Sequence, residues 1–184
     1  MKYTHGTHAH PTHVLIGIYL IICVSEQAEL DVVQEIIQLA SPSEDSVLFD
    51  LGCGDGRICL EATKRSGCQS VGIEIEQHLI TKFKRHISVL GCEDKVTALH
   101  EDLLLADLSR ATIIVCYLLP ESIELIRDKL QAAVQRGVLL VCNTWGPKGW
   151  ICVQTVQCGH LNATVTLLRY NDTSIPVTDQ QKII

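Results

Sequence analysis

The stretch from Val47 to Glu76 constrains this chain more than any other. Val47-Leu48-Phe49-Asp50-Leu51 runs into Gly52-Cys53-Gly54-Asp55-Gly56-Arg57. An amphipathic segment follows, and a second apolar run, Val71-Gly72-Ile73, ends on Glu74. A short apolar run, glycines at alternate positions, a helical pattern and another apolar run describe a strand, a tight turn, a crossover helix and a parallel strand. Gly52 and Gly54 allow the sharp turn and let main-chain N–H groups come close to a ligand. Gly56 is read as opening the helix where a side chain would obstruct that approach. Glu74 stands 22 positions after Gly52, close to the ~20-residue offset at which a carboxylate meets a ribose diol. The unit predicts a nucleoside cofactor.

Glycine spacing narrows the choice. A dinucleotide fold has Gly-x-Gly-x-x-Gly and seats a pyrophosphate on the helix N-terminus. Here the order is Gly-x-Gly-x-Gly, with Asp50 two positions upstream. A carboxylate beside the turn repels a pyrophosphate and suits an ammonium or sulfonium group. At these residues the chain resembles the class I S-adenosylmethionine-dependent methyltransferases. The resemblance implies that Asp50, Gly52, Cys53, Gly54 and Gly56 form the donor-binding turn.

The 184 residues predict one domain with a substantial core. Forty-seven per cent apolar and 20% charged residues exclude a disordered chain. A net charge of −6 with no basic block argues against nucleic acid or an anionic membrane as partner, and favours a basic substrate. Nine cysteines form no Cys-x-x-Cys pair, and Cys59, Cys116, Cys142 and Cys152 sit in apolar runs. They read as small buried hydrophobes in a reduced intracellular compartment, with neither a disulfide scaffold nor a metal site expected.

Residues 1–25 are expected to lie ahead of the domain. His5, His8, His10 and His13 fall in a polar N-terminus, and Val14–Val24 is an apolar run too short to span a bilayer, which needs ~20 residues. That run reads as a packed element, with a membrane-dipping anchor and a secretory signal as alternatives. The domain is expected over 26–171 and a polar tail over 172–184. Helices are predicted at Glu29–Ala40 (stripe Leu30, Val33, Ile37, Ala40), Arg57–Ser66, Glu76–Leu90 (stripe Leu79, Phe83, Ile87, Leu90), and from Pro120 through Gln135. Strands are predicted at Val47–Asp50, Ser70–Glu74, Val96–His100, Thr112–Tyr117 and Gly137–Asn143. A closing antiparallel hairpin is built from Trp150–Gln157 and Ala163–Tyr170. The expected fold is α/β, a three-layer Rossmann-like sandwich around a mostly parallel seven-stranded sheet.

In such sheets ligands bind outside the carboxyl ends of the strands. Glu74 there suits a ribose, and Glu101 or Asp102 the adenine amino group. Tyr117, Asn143 and Trp145 are candidates for the acceptor pocket, and Trp150 reads as core. Tyr117-Leu118-Leu119-Pro120 stands where nucleic-acid and glutamine amino-methyltransferases have Asn/Asp-Pro-Pro-Tyr/Phe. With the first motif and Gly149-Trp150, it makes the chain resemble, from about Glu29 to Tyr170, the small family that includes lysine methyltransferases of the adenine nucleotide translocase and the ATP synthase c-subunit. That resemblance implies S-adenosyl-L-methionine as donor, S-adenosyl-L-homocysteine as product, no metal, a protein substrate presenting a lysine, and a mitochondrial setting. Another protein or small-molecule acceptor, or a non-catalytic assembly factor that binds the cofactor, are the alternatives.

Overall fold

The computed structural model describes residues 30–158 and 165–171. The His-rich N-terminus, Val14–Val24 and the C-terminal tail lie outside them. Helix α1 (Leu30–Ala40) precedes β1 (Val47–Leu51), α2 (Arg57–Ser66), β2 (Gln69–Glu74), α3 (Gln77–Leu90) and β3 (Val96–His100). Then come β4 (Ile113–Cys116), α4 (Pro120–Leu125), α5 (Arg127–Gln135), β5 (Leu139–Asn143), β6 (Gln154–Cys158) and β7 (Val165–Tyr170). The strands form one sheet in the order β3-β2-β1-β4-β5-β7-β6. β1 to β5 are mutually parallel, and β7 runs antiparallel to both β5 and β6. The expected mixed seven-stranded sheet is the fold found.

Alternation along the strands divides the interior in two. Leu48, Ile113, Val115 and Val141 face α1, α2 and α3, meeting Val33, Ile36, Cys59, Ala62 and Phe83. Phe49, Leu51, Ile114, Cys116 and Leu140 face α4 and α5, meeting Ile123, Leu130 and Val134. Helices α2 and α3 stop at Gly67 (φ 73°) and Gly91 (φ 61°), left-handed positions that glycine takes without a Cβ clash.

Four expectations need correction. Leu30 and Leu90 are 73% and 62% exposed, not part of the buried stripes. Each is the terminal residue of its helix, where the periodicity outlasts the surface it packs on. Pro120–Gln135 is two helices, not one: Ile126 adopts φ −103° and ψ 10° between them, yet remains buried in the core shared with Ile123 and Leu130. The penultimate strand starts at Gln154, because Trp150 turns inward against Tyr170 (ring centroids 5.9 Å apart, 78° between planes) while Ile151 is exposed. That packing bears out Trp150 as core.

Candidate active site

The turn after β1 is tied to β2 at its base. Gly52 and Cys53 both donate their N–H to the Ile73 carbonyl, at 2.9 and 3.0 Å. The three glycines of the turn have positive φ, but they face different surroundings. A Cβ on Gly52 would stand 2.7 Å from the Leu118 side chain, and one on Gly56 would overlap the Phe83 ring. A Cβ on Gly54 (φ 56°) would meet nothing within 4 Å. Gly56 was expected to clear the way for a ligand; instead it makes room for Phe83, a fully buried α3 side chain. Open space lies over Gly54 alone of the three.

Two carboxylates close the base of this turn. Glu74, 2% exposed, accepts the Gly54 N–H on Oε2 (3.1 Å) and the Glu76 N–H on Oε1 (2.9 Å). It is therefore a buried structural link as well as a strand end. One lone pair on each oxygen remains for a further donor. Asp50 is 1% exposed, and its Oδ2 has no hydrogen-bond partner. Burial first, then the charges of Glu74 and Asp55, push its carboxyl up to about 8. Cys53, also buried, has its thiol pushed up by burial first and then by the charges of Asp50 and Glu74, which disfavours the thiolate. Asp55 behaves differently. Burial alone would raise it, but Arg57, hydrogen-bonded through both carboxylate oxygens at 3.0 Å, holds it below the ordinary carboxylate range.

The remaining strand ends converge on the same edge. Glu101 donates its N–H to the Glu74 carbonyl (3.2 Å), which places the Glu101–Asp102 corner beside β2. Asp102 Oδ1 is engaged by the Leu104 N–H at 2.9 Å. Tyr117 follows β4 and is half-buried. Asn143 ends β5 and is 1% exposed. Trp145 is 38% exposed at the rim. Cys116 and Cys142 are register partners, so Tyr117 and Asn143 leave adjacent strands side by side. Thr144, which the sequence analysis did not single out, has φ 66°. Neither its residue type nor its neighbours signal a left-handed backbone. Among the described residues no group of three or more His, Cys, Asp or Glu side chains has the geometry to hold a metal.

An unpartnered buried carboxylate oxygen, an open glycine turn and a second carboxylate with spare lone pairs fit a nucleoside that carries an ammonium group. With the sheet order, they define a class I S-adenosylmethionine-dependent methyltransferase.

Comparison with known proteins agrees. A family model described as the ANTKMT methyltransferase domain matches residues 50–154. A protein-lysine N-methyltransferase of Saccharolobus islandicus (strain REY15A) is 30% identical over 139 residues, covering 74% of this chain and 86% of that protein. The adenine nucleotide translocase lysine N-methyltransferase of Mus musculus is 31% identical over 105 residues, 54% of this chain and 46% of that protein. Among solved structures, an RNA methyltransferase from Salinibacter ruber in complex with S-adenosyl-L-homocysteine superposes with a TM-score of 0.70 at 32% identity. It covers 79% of this chain and 92% of that one. The chain belongs to the ANTKMT methyltransferase domain family.

Proposed function

We propose that the unit spanning residues 26–171 methylates the side-chain amine of a lysine presented by a protein. The observation that carries the lysine reading is the character of the acceptor end of the cleft. Tyr117 follows β4, Asn143 ends β5, and Thr144 and Trp145 come next; none is an acidic or basic residue type. The strand-end corners carry Glu76, Glu101 and Asp102 on the adenine side and Glu121 in the first turn of α4, against Lys148 after β5, while Arg57 is paired with Asp55. That excess of carboxylates over cations along the cleft edge, in a chain of net charge −6, favours a cationic side chain over a polyphosphate backbone. The lysine substrates named for the archaeal and mouse relatives support the same choice.

Each residue then has a task. The spare lone pairs of Glu74 accept the two ribose hydroxyls, and Glu101–Asp102 lies at the adenine end. The open face of Gly54 lets the backbone approach the donor, with Gly52, Cys53 and Gly56 holding the turn in shape. Asp50 Oδ2 accepts from the methionine ammonium, directly or through water. S-adenosyl-L-methionine, when bound, supplies a methyl group on a sulfonium. The chain's own contribution is positioning and desolvation. A lysine must reach the transfer position neutral, and a pocket of low polarity lowers its pKa. Tyr117 and Trp145 present aromatic faces to the alkyl chain and to the cation that forms on nitrogen.

The setting we propose is intracellular and, following the family resemblance, mitochondrial, with Val14–Val24 as the segment that would bring the enzyme to a membrane. Among the described residues no helix is long and apolar enough to cross one. Cell fractionation with and without that segment tests this.

Transfer of label from tritiated S-adenosyl-L-methionine into cell extract, followed by mass-spectrometric site mapping, tests the acceptor. Methyl-lysine in protein is the expected product. Label confined to RNA or to small molecules would overturn the lysine reading.

A further inference from the structure

The corner that ends β5 carries backbone strain. Thr144 stands at φ 66°, one of only two non-glycine residues with positive φ among the described residues. A β-branched side chain resists such a position. Backbone strain of this kind clusters at functional sites, where surrounding structure holds it in place.

Two hydrogen bonds hold it here. The Trp145 N–H donates to the Asn143 carbonyl at 2.8 Å, closing a tight corner. The Thr144 hydroxyl donates to Asn143 Oδ1 at 3.1 Å. Asn143 is 1% exposed, so its amide is set inside the protein and not by solvent. Its direction follows from the strand. Asn143 alternates with Val141 and so projects on the α1–α3 face, as Asp50 does through Leu48.

We propose that Thr144 is a positioning residue that fixes the Asn143 side-chain amide so that Oδ1 receives an N–H of the acceptor amine. The proposal rests on the lysine reading above. A carbonyl oxygen has two lone pairs, and Thr144 occupies one of them. The other is left in a fixed direction beside Tyr117. A neutral amine brings two N–H groups and one lone pair, and only the lone pair attacks carbon. Holding an N–H aims that lone pair at the methyl group. As nitrogen forms its bond to carbon, the S–CH3 pair leaves with sulfur and nitrogen becomes cationic, so its N–H bonds more strongly to Oδ1 in the transition state than in the ground state. An amide serves this purpose better than a carboxylate, which would favour the protonated lysine and withhold its lone pair. A hydroxyl in the left-handed position is what orients the amide, and this explains why the strain is retained.

The test compares wild type with Thr144→Val and Thr144→Ser on poly-L-lysine with tritiated S-adenosyl-L-methionine. Calorimetry with S-adenosyl-L-homocysteine and a thermal melt accompany it. Valine keeps the shape and the β-branch but removes the donor. The expected result for Thr144→Val is a roughly tenfold fall in kcat with KM and nucleoside affinity within about twofold of wild type, the size of effect expected for one lost hydrogen bond. Thr144→Ser should recover most of that loss. A Thr144→Val enzyme as fast as wild type, a Thr144→Ser enzyme as slow as Thr144→Val, or a loss of nucleoside affinity matching the loss of rate would overturn the proposal and leave the lysine reading standing. Wild-type protein that binds the nucleoside but labels no lysine, in poly-L-lysine or in extract, would overturn both.

Discussion

The amide of Gly54 and the carboxylate of Glu74 are joined by a 3.1 Å hydrogen bond, so the donor-facing turn and the ribose-facing strand end are one unit. Loss at either residue is transmitted to the other.

Glu74→Ala should therefore weaken folding as well as binding. The Gly54 and Glu76 N–H groups would lose their acceptor, and bonds to a charged group contribute about 1.5–3 kcal/mol. For a domain of this size each kcal/mol corresponds to roughly 2–4 °C in Tm. Affinity for S-adenosyl-L-homocysteine should drop ten- to a hundredfold by the same magnitude. Thermal melting and calorimetry on one preparation check both. An unchanged Tm would mean that the two backbone bonds contribute little.

Gly54→Val and Gly56→Ala should fail in opposite ways. At Gly54 the side chain enters open space, at a strain cost on the order of 1–3 kcal/mol. A folded protein that no longer binds the nucleoside is expected. At Gly56 even a methyl group meets the Phe83 ring, in a core that cannot yield without moving α3. Low soluble yield or a broad, early melt is expected there. Circular dichroism distinguishes the two outcomes.

Phe83→Ala removes a fully buried ring that packs against Gly56, Gly72 and Cys53. The cost should be about 3–5 kcal/mol. With the turn no longer braced, nucleoside affinity should fall too, though no polar contact has been removed. A denaturant midpoint lowered at constant m-value would verify the stability part.

Asp50 gives stability a distinctive pH dependence. Burial, helped by Glu74 and Asp55, raises its carboxyl from 3.8 to about 8, so the folded state holds a proton that the unfolded chain has released. A raised folded value stabilises most below the unfolded one. The contribution shrinks as pH climbs from about 4 and is gone once the folded group ionises near 8. Asp50→Asn, a mimic of the protonated acid, should flatten the decline of Tm across that window. Bound ammonium favours the ionised carboxylate, so S-adenosyl-L-homocysteine binding at pH 7 should release a proton. Binding heats that do not vary with the ionisation enthalpy of the buffer would contradict this.

Most of the architecture was legible because it rests on local signals. Alternating apolar runs and helical stripes located β1 to β5, and Gly67 and Gly91 ended their helices as glycine caps do. The strand-end carboxylates followed from the sheet rule alone. What stayed hidden depends on contacts between distant segments. Nothing near Gly56 announces that Phe83 comes to rest on it, and no proline or glycine marks the break at Ile126. The burial of Glu74 arises from amides at positions 54 and 76, a relationship that no periodicity encodes. Thr144 carries no residue-type signal for its backbone, and only its φ reveals it.

Phe83 presses on Gly56 and Gly72 at once, which separates the glycines of the first motif into two kinds. Gly56 would have to stay glycine in any descendant that kept this ring, whether or not that descendant still used a methyl donor. Its survival in a degenerate copy would attest to packing and nothing more. Gly54 is held only by its left-handed backbone, a cost a folded domain can absorb: no neighbour forbids a side chain there apart from what visits the cleft. A copy that had ceased to bind the donor would be free to drift first at that position, which makes Gly54 the more telling witness of lost activity.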